Sequence, residues 1–293
     1  MRRGETCGIE RNDRLDIEGL ILDKVIHYCW FGDREIGEQA RKDIESWEKY
    51  APDFEIKRWD EADSDVRSCL FARAAADVKA WAFVSDYIRM KKIYDYGGVY
   101  MDVGTELIKD IRPLLCSAPF MAIEYGTTLI SPGLIICAEK QDPLIGEILD
   151  VYESIEFIDS DEFKEGHTVN EITTKVFEKY GYIRKDRHQV VGRWTILPSL
   201  VFCPEYGIGG FHIEDGTYSV HHYSGSWRSE LYKRKREIMN SVVPVLGAKM
   251  GEILARVLSE VLVNGPKRGL KNIIQLIMRK MSAAPVEGGA HHE

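Results

Sequence analysis

Residues 78–103, VKAWAFVSDYIRMKKIYDYGGVYMDV, contain the most informative pattern in the sequence. Its first part, residues 78 to 96, has apolar side chains on most faces, a pattern that predicts a buried helix. Gly97-Gly98 end this helix, and residues 98 to 103 form a short apolar run that predicts a strand carrying Asp102 near its end. Ligands of open α/β sheets bind at the carboxyl ends of strands. The stretch therefore predicts a buried helix leading into a strand that presents a carboxylate in a ligand-binding position.

The residues before this stretch alternate between strand and helix patterns. Residues 24–31, KVIHYCWF, form a β-branched and aromatic run that predicts a first strand. Residues 37–50 have apolar residues at helical spacing, and residues 54–59 alternate like a second strand. Strand, helix and strand in this order predict an α/β fold with a parallel sheet.

The composition excludes several classes of protein. The chain has 293 residues, 44% of them hydrophobic, with 39 Lys plus Arg against 47 Asp plus Glu, a net charge of −8. Disordered and coiled-coil proteins are excluded, and the length fits one enzyme-sized unit. A negative total also argues against nucleic acid as a partner. The six cysteines show no regular spacing, so neither a zinc site nor a disulfide framework is indicated and we expect reduced thiols.

The charge is distributed unevenly, and this predicts a boundary. Residues 228–281 hold 12 Lys or Arg and 4 Glu, a balance of +8, whereas residues 1–227 hold 27 basic and 41 acidic side chains, a balance of −14. We expect an irregular extension over 1–23, a main domain over 24–227, a basic helical appendage over 228–282 and a flexible tail over 283–293. No secretory leader or spanning helix is indicated, which favours a cytoplasmic location.

A charged triplet, Ser85, Asp86 and Arg89, interrupts the apolar helix. Asp86 and Arg89 are three residues apart and so share one face. Burying charges is costly unless they pair with each other or meet a polar ligand. A structural salt bridge and a ligand-binding pair are therefore both open. The direct connection to Asp102 favours the second.

Four motifs follow one another along the chain: WFG after the first strand, SDYIR, YGGVYMD and HHYSGSW. Together they resemble the glycosyltransferase family with the sugar-binding DXD motif, which is similar to glycosyltransferase family 32. That family includes enzymes of capsular polysaccharide synthesis and initiating mannosyltransferases. The resemblance runs from about residue 24 to residue 227. It implies a GT-A fold, a nucleotide-diphosphate sugar as donor and a divalent cation, Mn²⁺ or Mg²⁺, as cofactor.

The resemblance also implies roles for residues in the first three motifs. Trp30 matches the aromatic side chain that lies against the nucleotide base. Ser85, Asp86 and Arg89 match the group that holds the donor sugar and its phosphates, where a guanidinium suits an oxyanion. Tyr100 and Asp102 match the start of the metal and ribose motif.

The last motif supplies the remaining expectations. His222, Ser226 and Trp227 match the cluster that closes over the diphosphate and the cation. By this resemblance the catalytic residues are Asp102, Arg89 and Trp227, the donor-binding set also includes Ser226, and the metal ligands are Asp102 and His222.

One position departs from the family motif. The family has Asp-x-Asp, but this chain reads Asp102-Val103-Gly104, so the second carboxylate is absent. Hard cations prefer oxygen ligands, and one of these is missing. Glu106 lies too far along a continuing strand to replace it, although a turn would bring it closer. Weakened metal binding, a metal-independent enzyme and a catalytically silent relative all remain open.

The basic appendage has two interpretations. Residues 270–281, LKNIIQLIMRKM, combine apolar helical spacing with basic side chains, which is typical of a helix lying on an anionic membrane. The alternative is a helical appendage that packs on the domain or mediates dimerisation.

The function expected from all of these features is retaining transfer of a sugar, from a UDP-sugar in preference to other donors, to a glycan or lipid-linked saccharide in surface polysaccharide synthesis. The alternatives are a degenerate protein that binds a nucleotide sugar or glycan without turnover, and a toxin-like protein glycosyltransferase.

Overall fold

A computed structural model gives the structure of residues 9–11, 14–17, 20–222 and 230–282. The chain divides into two compact units. The first contains Met1–Glu205 and His212–Tyr223, and the second contains Tyr206–Phe211 and Ser224–Glu293.

The centre of the first unit is a mixed sheet of seven strands. Its strands are β4 (Val25–Cys29), β5 (Glu55–Trp59), β6 (Gly98–Tyr100), β8 (Phe120–Ala122), β9 (Ile136–Ala138), β10 (Gln189–Val191) and β11 (Trp194–Leu197). Their order in the sheet is β10-β11-β8-β9-β6-β4-β5. The pairs β4–β5, β4–β6 and β8–β11 are parallel, whereas β6–β9, β8–β9 and β10–β11 are antiparallel. The expected α/β class is confirmed, but the sheet is mixed rather than parallel.

Two smaller sheets complete the strands of this unit. A two-stranded sheet pairs β7 (Thr105–Leu107) with β14 (Ser219–His221) in antiparallel register. A three-stranded antiparallel sheet consists of β1 (Ile9–Arg11), β2 (Arg14–Ile17) and β3 (Leu20–Asp23). The expectation that residues 1–23 are irregular is therefore wrong for these three segments, whose backbones pair and whose Leu22 is fully buried in the core.

The helices pack their apolar faces on the sheet. The most buried is α3, which contributes Phe83, Val84, Tyr87, Ile88 and Met90 to the core. The helices of this unit are α1 (Glu38–Tyr50), α2 (Leu70–Asp77), α3 (Trp81–Tyr96), α4 (Arg112–Leu115), α5 (Pro143–Ser154), α6 (Asp161–Gly166), α7 (Val169–Glu178) and α8 (Ser199–Phe202).

The turn from α3 into β6 requires glycine. Gly97 and Gly98 have φ angles of +71° and +97°, and a Cβ at Gly98 would lie 2.8 Å from the Val25 carbonyl oxygen. Because the chain reverses so tightly here, the residues after β6 emerge beside α3. This turn places Asp102 next to the polar face of that helix.

Buried polar contacts join the turn to neighbouring strands. Trp59 Nε1 donates to His27 Nδ1 at 3.0 Å, so His27 is protonated at Nε2 and donates to the Gly97 carbonyl at 2.9 Å. Burial lowers the pKa of His27 to about 4. A neutral imidazole therefore connects β4 to the end of α3.

The cysteines depart from the expectation of free thiols at one position. Cys29, Cys69, Cys137 and Cys203 are free and buried, as expected for small apolar side chains. Cys116 is disulfide-bonded. The expectation of a fully reduced chain is therefore wrong at Cys116.

The second unit is mainly helical. It contains α9 (Glu230–Asn264), α10 (Pro266–Ser282) and a hairpin of β12 (Tyr206–Gly207) and β13 (Gly210–Phe211). Gly247 has non-helical angles and breaks α9, and Gly251 lies so close to Val243 that an added Cβ would meet it at 2.5 Å. Within the described residues, no helix is both long and apolar enough to cross a bilayer.

Candidate functional site

Arg89 lies between two carboxylates at the carboxyl end of β6. Its Nη2 contacts Asp86 Oδ1 at 3.0 Å, and its Nη1 donates to Asp102 Oδ2 at 3.0 Å. Its Nε donates to the Ser85 carbonyl oxygen at 3.2 Å. The side chain is only 5% exposed. The structure therefore joins three of the expected site residues, Asp86, Arg89 and Asp102, in one network.

Asp102 is the member of this network that faces outward. Its side chain is 34% exposed, compared with 11% for Asp86. The Tyr100 hydroxyl donates to Asp102 Oδ1 at 2.7 Å, and the Asp102 amide donates to the Gly133 carbonyl at 2.8 Å. Tyr100 and Arg89 therefore fix the carboxylate from behind and leave one side of it accessible.

Gly133 permits this arrangement, and sequence reasoning missed it. A Cβ at Gly133 would lie 2.3 Å from Asp102 Oδ2 and 2.9 Å from Arg89 Nη1. Residue 133 stands 31 positions after Asp102, and the only local signal is a Pro-Gly pair that predicts a turn. Only glycine fits against the network without displacing it.

The network places one ionisable carboxyl in a strongly perturbed environment. Burial raises the pKa of Asp86 to about 7, and the neighbouring Arg89 opposes that rise. Burial alone would lower the pKa of Arg89, but Asp102, Tyr100 and Asp86 outweigh it, so the pKa rises. The guanidinium stays charged. Such a combination of burial and specific charge partners is typical of functional sites.

Trp30 and Ser85 each donate a side-chain hydrogen bond to a backbone carbonyl four residues away. Trp30 is half-buried and donates from Nε1 to the Arg34 carbonyl at 2.7 Å. The next residue, Phe31, stacks against Trp81 with centroids 6.4 Å apart. The Ser85 hydroxyl donates to the Trp81 carbonyl at 2.9 Å. Strand β4 therefore ends beside the first turn of α3.

A cavity of about 430 Å³ opens at this place. Trp81, Ser85 and Arg89 follow one another at spacings of four residues, so they share one face of α3. Eight residues of helix span about 12 Å, which separates the cavity from the Arg89–Asp102 pair. The cavity is lined by Glu61, Ser64, Asp65, Val66, Arg67, Ala76 and Trp81.

His222 belongs to a second group of polar side chains. Its Nε2 lies 2.7 Å from Glu106 Oε2 and 3.9 Å from Asp43 Oδ1. One ligand atom from each residue lies within 4.8 Å of the others, a spacing suited to a shared metal ion. Asp102 is not a member of this group, so the two expected metal ligands, Asp102 and His222, stand in different clusters.

Helix α1 and strand β7 form the second cluster. The backbone turns at Val103-Gly104 before β7 begins, so Glu106 is not on a continuation of β6. On α1, Ser46 Oγ accepts from the Leu107 amide at 2.9 Å and Trp47 Nε1 donates to the Thr105 carbonyl at 2.7 Å. These contacts attach α1 to β7.

Asp43 lies one helical turn before the Ser46 and Trp47 contacts, with its side chain 1% exposed. Burial raises the pKa of Asp43, and Gln39, His222 and the Gly104 backbone amide oppose that rise. Its position four residues before the core Trp47 was the only sequence signal that it would be buried.

The chemistry of the second cluster fits the divalent cation that the resemblance implies. Two carboxylates suit either Mn²⁺ or Mg²⁺, and the imidazole favours the transition metal. Ser226 and Trp227, expected to close over the diphosphate, lie outside the residues that the structure describes.

Comparison with known proteins connects this geometry to an enzyme class. Residues 37–121 match the family model described as the glycosyltransferase sugar-binding region containing DXD motif. Among solved structures the chain is similar to a chain titled PaToxG Glycosyltransferase, with 16% identity, a TM-score of 0.40 and coverage of 54% of this chain and 68% of that chain. Comparison with curated proteins finds no match. The matched region contains the Asp86–Arg89–Asp102 network and, of the second cluster, Asp43 and Glu106 but not His222. The match confirms the enzyme class expected from the sequence, a glycosyltransferase.

Proposed function

We propose that this chain is a retaining glycosyltransferase that uses a nucleotide-diphosphate sugar, with UDP-sugars preferred. The observation that carries the proposal is the Arg89–Asp102 pair, a buried cation and a partly exposed carboxylate at the carboxyl end of β6, within the matched region. The preference for UDP and the retention of anomeric configuration follow from the resemblance of the four motifs to the DXD family.

Asp102 has the capacity to bind sugar hydroxyls. An ionised carboxylate offers about four lone-pair sites, and Tyr100 and Arg89 occupy two of them. The remaining sites can accept hydroxyl groups of the donor. Because Tyr100 and Arg89 already fix the side chain, little conformational entropy is lost when it binds.

The face of α3 indicates how the donor would lie. The nucleoside would occupy the cavity beside Trp81, with Trp30 as the expected stacking surface, and the sugar would reach Asp102. The distance of about 12 Å between Trp81 and Arg89 along the helix suits a nucleoside diphosphate lying on this face. Ser85 stands midway between the two ends.

Arg89 would serve the chemical step through its charge. Departure of the nucleoside diphosphate leaves an oxocarbenium-like centre and builds negative charge on the phosphate oxygens. The permanently charged guanidinium can stabilise that charge. A bound divalent cation would add to the same stabilisation. Trp227 and Ser226 complete the expected set by resemblance alone, and the acceptor hydroxyl would lose its proton to the departing phosphate.

The proposed acceptor is a glycan or a lipid-linked saccharide of a surface polysaccharide. The surface of the second unit suggests that the enzyme reaches this acceptor at a membrane. Met250, Ile253 and Val257 lie 59%, 53% and 37% exposed at helical spacing on α9. The sequence from residue 228 to 281 carries an excess of eight positive charges. We propose that this apolar, basic surface docks on an anionic lipid surface at the cytoplasmic face of a membrane.

Vesicle flotation tests this docking. The protein should float with vesicles containing phosphatidylglycerol and stay behind with pure phosphatidylcholine. Ile253→Glu should abolish flotation, whereas Val190→Glu, at a position 67% exposed in the first unit, should leave it unchanged. The membrane proposal would be contradicted if the wild type did not float and Ile253→Glu converted a dimer into a monomer. That result would mean that this surface mediates dimerisation.

Gly104 favours one other function, binding of a nucleotide sugar without turnover. The missing second carboxylate is the observation behind it. This protein would bind the donor, yet release neither sugar nor nucleoside diphosphate.

The deciding experiment is calorimetric titration with UDP-sugars and GDP-sugars, each with Mn²⁺ and with chelator, followed by chromatography of the products. We expect one UDP-sugar to bind and to be turned over. Asp102→Asn should lower turnover at least about 100-fold, whereas the matched control Asp110→Asn, a similarly exposed carboxylate paired with Arg112, should not. Binding without product would favour the alternative, and no binding of any donor by the folded protein would refute both.

A further inference from the structure

We propose that Asp43, Glu106 and His222 hold the catalytic cation in place of the missing second carboxylate of the DXD motif. The inference deepens the proposed function, on which its catalytic role rests, because it names the cation ligands of that transferase. Metal binding itself can be tested without any donor.

The first observation is that three potential metal ligands come together next to the departure from the motif. His222 Nε2 lies 2.7 Å from Glu106 Oε2 and 3.9 Å from Asp43 Oδ1. The His222 amide donates to the Gly104 carbonyl oxygen at 2.8 Å, and Glu106 stands two residues after Gly104 on β7. The three candidate ligands therefore lie beside the backbone at Gly104, where the family motif has its second carboxylate.

The second observation is an unsatisfied carboxylate oxygen. Asp43 Oδ1 accepts from Gln39 Nε2 at 2.9 Å, whereas the fully buried Oδ2 forms no hydrogen bond within the described part of the chain. A buried carboxyl oxygen without a partner is costly unless a ligand satisfies it. A cation between Asp43, Glu106 and His222 would remove that cost.

The third observation is that the cluster is held in place from both sides. Ser46 and Trp47 attach α1 to β7, and β7 pairs with β14 immediately before His222. Ligands on paired strands and an attached helix lose little freedom when a metal binds. The Nε2–Oε2 distance of 2.7 Å and the Nε2–Oδ1 distance of 3.9 Å both fit ligand atoms around one ion after small shifts.

The donor set selects the type of metal. Two carboxylates supply hard oxygen ligands, and the imidazole adds a nitrogen ligand that Ca²⁺ and Mg²⁺ seldom use. We therefore expect Mn²⁺ to bind more tightly than Mg²⁺. Three protein ligands also leave coordination positions open for diphosphate oxygens.

Titration of the full chain with Mn²⁺, followed by electron paramagnetic resonance of the free ion, tests the site without donor. We expect one tightly bound Mn²⁺ in the wild type and a rise in Kd of at least about tenfold in Glu106→Gln and in His222→Gln. Asp102→Asn should bind Mn²⁺ like the wild type. The matched control is His212→Gln, which removes another His–carboxylate pair. His212 Nε2 lies 2.9 Å from Glu214 Oε1, and this pair has no third His, Cys, Asp or Glu ligand among the residues that the structure describes.

Wild-type Mn²⁺ affinity in both Glu106→Gln and His222→Gln would overturn the inference, as would absence of stoichiometric binding in the folded wild type. Loss of Mn²⁺ in Asp102→Asn, with binding kept in Glu106→Gln, would return the site to the DXD motif. Failure of the proposed function looks different, because Mn²⁺ would then bind as expected while no nucleotide sugar is bound or turned over.

Discussion

Replacement of Gly133 by alanine tests the geometry of the Arg89–Asp102 pair more directly than removal of either side chain. The added Cβ would lie 2.3 Å from Asp102 Oδ2, whereas carbon and oxygen normally approach to about 3.3 Å. The carboxylate must therefore move by about 1 Å, and a displacement of this size in a catalytic group can lower the rate about 100-fold.

The expected loss divides between catalysis and stability. A 100-fold fall in kcat/KM corresponds to about 2.7 kcal/mol of transition-state stabilisation. Overpacking at a buried position costs roughly 2 kcal/mol of folding free energy, which lowers Tm by about 4–8 °C in a unit of this size. The variant should therefore remain folded at 25 °C.

The assay is release of nucleoside diphosphate from the donor identified by titration, together with thermal unfolding followed by circular dichroism. Gly216→Ala is the control, because its Cβ would meet nothing within 4 Å. Turnover by Gly133→Ala within threefold of the wild type would refute the conclusion that the position of Asp102 governs the reaction.

Four further predictions concern charge and backbone. Arg89→Ala leaves two carboxylates without their cation, so urea unfolding should show a loss of about 3–5 kcal/mol; a loss below 1 kcal/mol would contradict the buried network. The folded pKa of Asp86 is about 7, above its usual 3.8, so its contribution to stability is complete below pH 3.8 and is lost as the pH rises through 7. In urea titrations at a series of pH values, Asp86→Asn should flatten this decline. An unchanged slope would contradict the raised pKa of Asp86. His27 acts in the opposite sense, since its pKa is lowered from 6.5 to about 4, so roughly 3 kcal/mol present above pH 6.5 should be lost as the pH falls towards 4, and His27→Gln should not show this loss. Gly104→Asp restores the DXD pattern at a φ of +128°, so calorimetry should show a lower Tm and Mn²⁺ titration no gain in affinity; tighter Mn²⁺ binding would mean that the motif position can still serve as a ligand.

The sequence predicts elements whose core contacts are local and periodic. Helix α3 and strand β6 carry dense apolar runs ended by Gly97-Gly98, and the structure places both as expected. The pairing of Arg89 with Asp86 follows from their spacing on the helix. The family resemblance assigns Asp102 to the same site, and Asp102 forms the second ion pair of Arg89. These contacts join residues that are close in the sequence, on α3, on β6 and in the Gly97-Gly98 turn between them.

Features that depend on distant contacts escape such reasoning. The strands of residues 9–23 are ordered by pairing with one another, and Leu22 of the third strand is fully buried in the core. Strand β7 breaks away from β6 because it pairs with β14, more than 100 residues later, and this brings Glu106 to His222. Asp43 on α1 reads as a solvated helix residue until α1 is attached to β7. The break between β6 and β7 has no local sequence signal, and the only one for Asp43 is its spacing of four residues from Trp47.

Helix α3 has a consequence for how donor preference could change. One of its faces holds Ser85 and Arg89, and the others fill the core with side chains such as Val84 and Ile88. If the donor binds this face as proposed, a substitution there would alter recognition and folding together, so selection for a new donor would meet a stability threshold first. The segment of residues 61–67 borders the cavity beside Trp81, which Ser85 and Arg89 do not line, and it fills the core to a lesser extent. Libraries that seek a different nucleotide should therefore vary this loop and keep the helix constant.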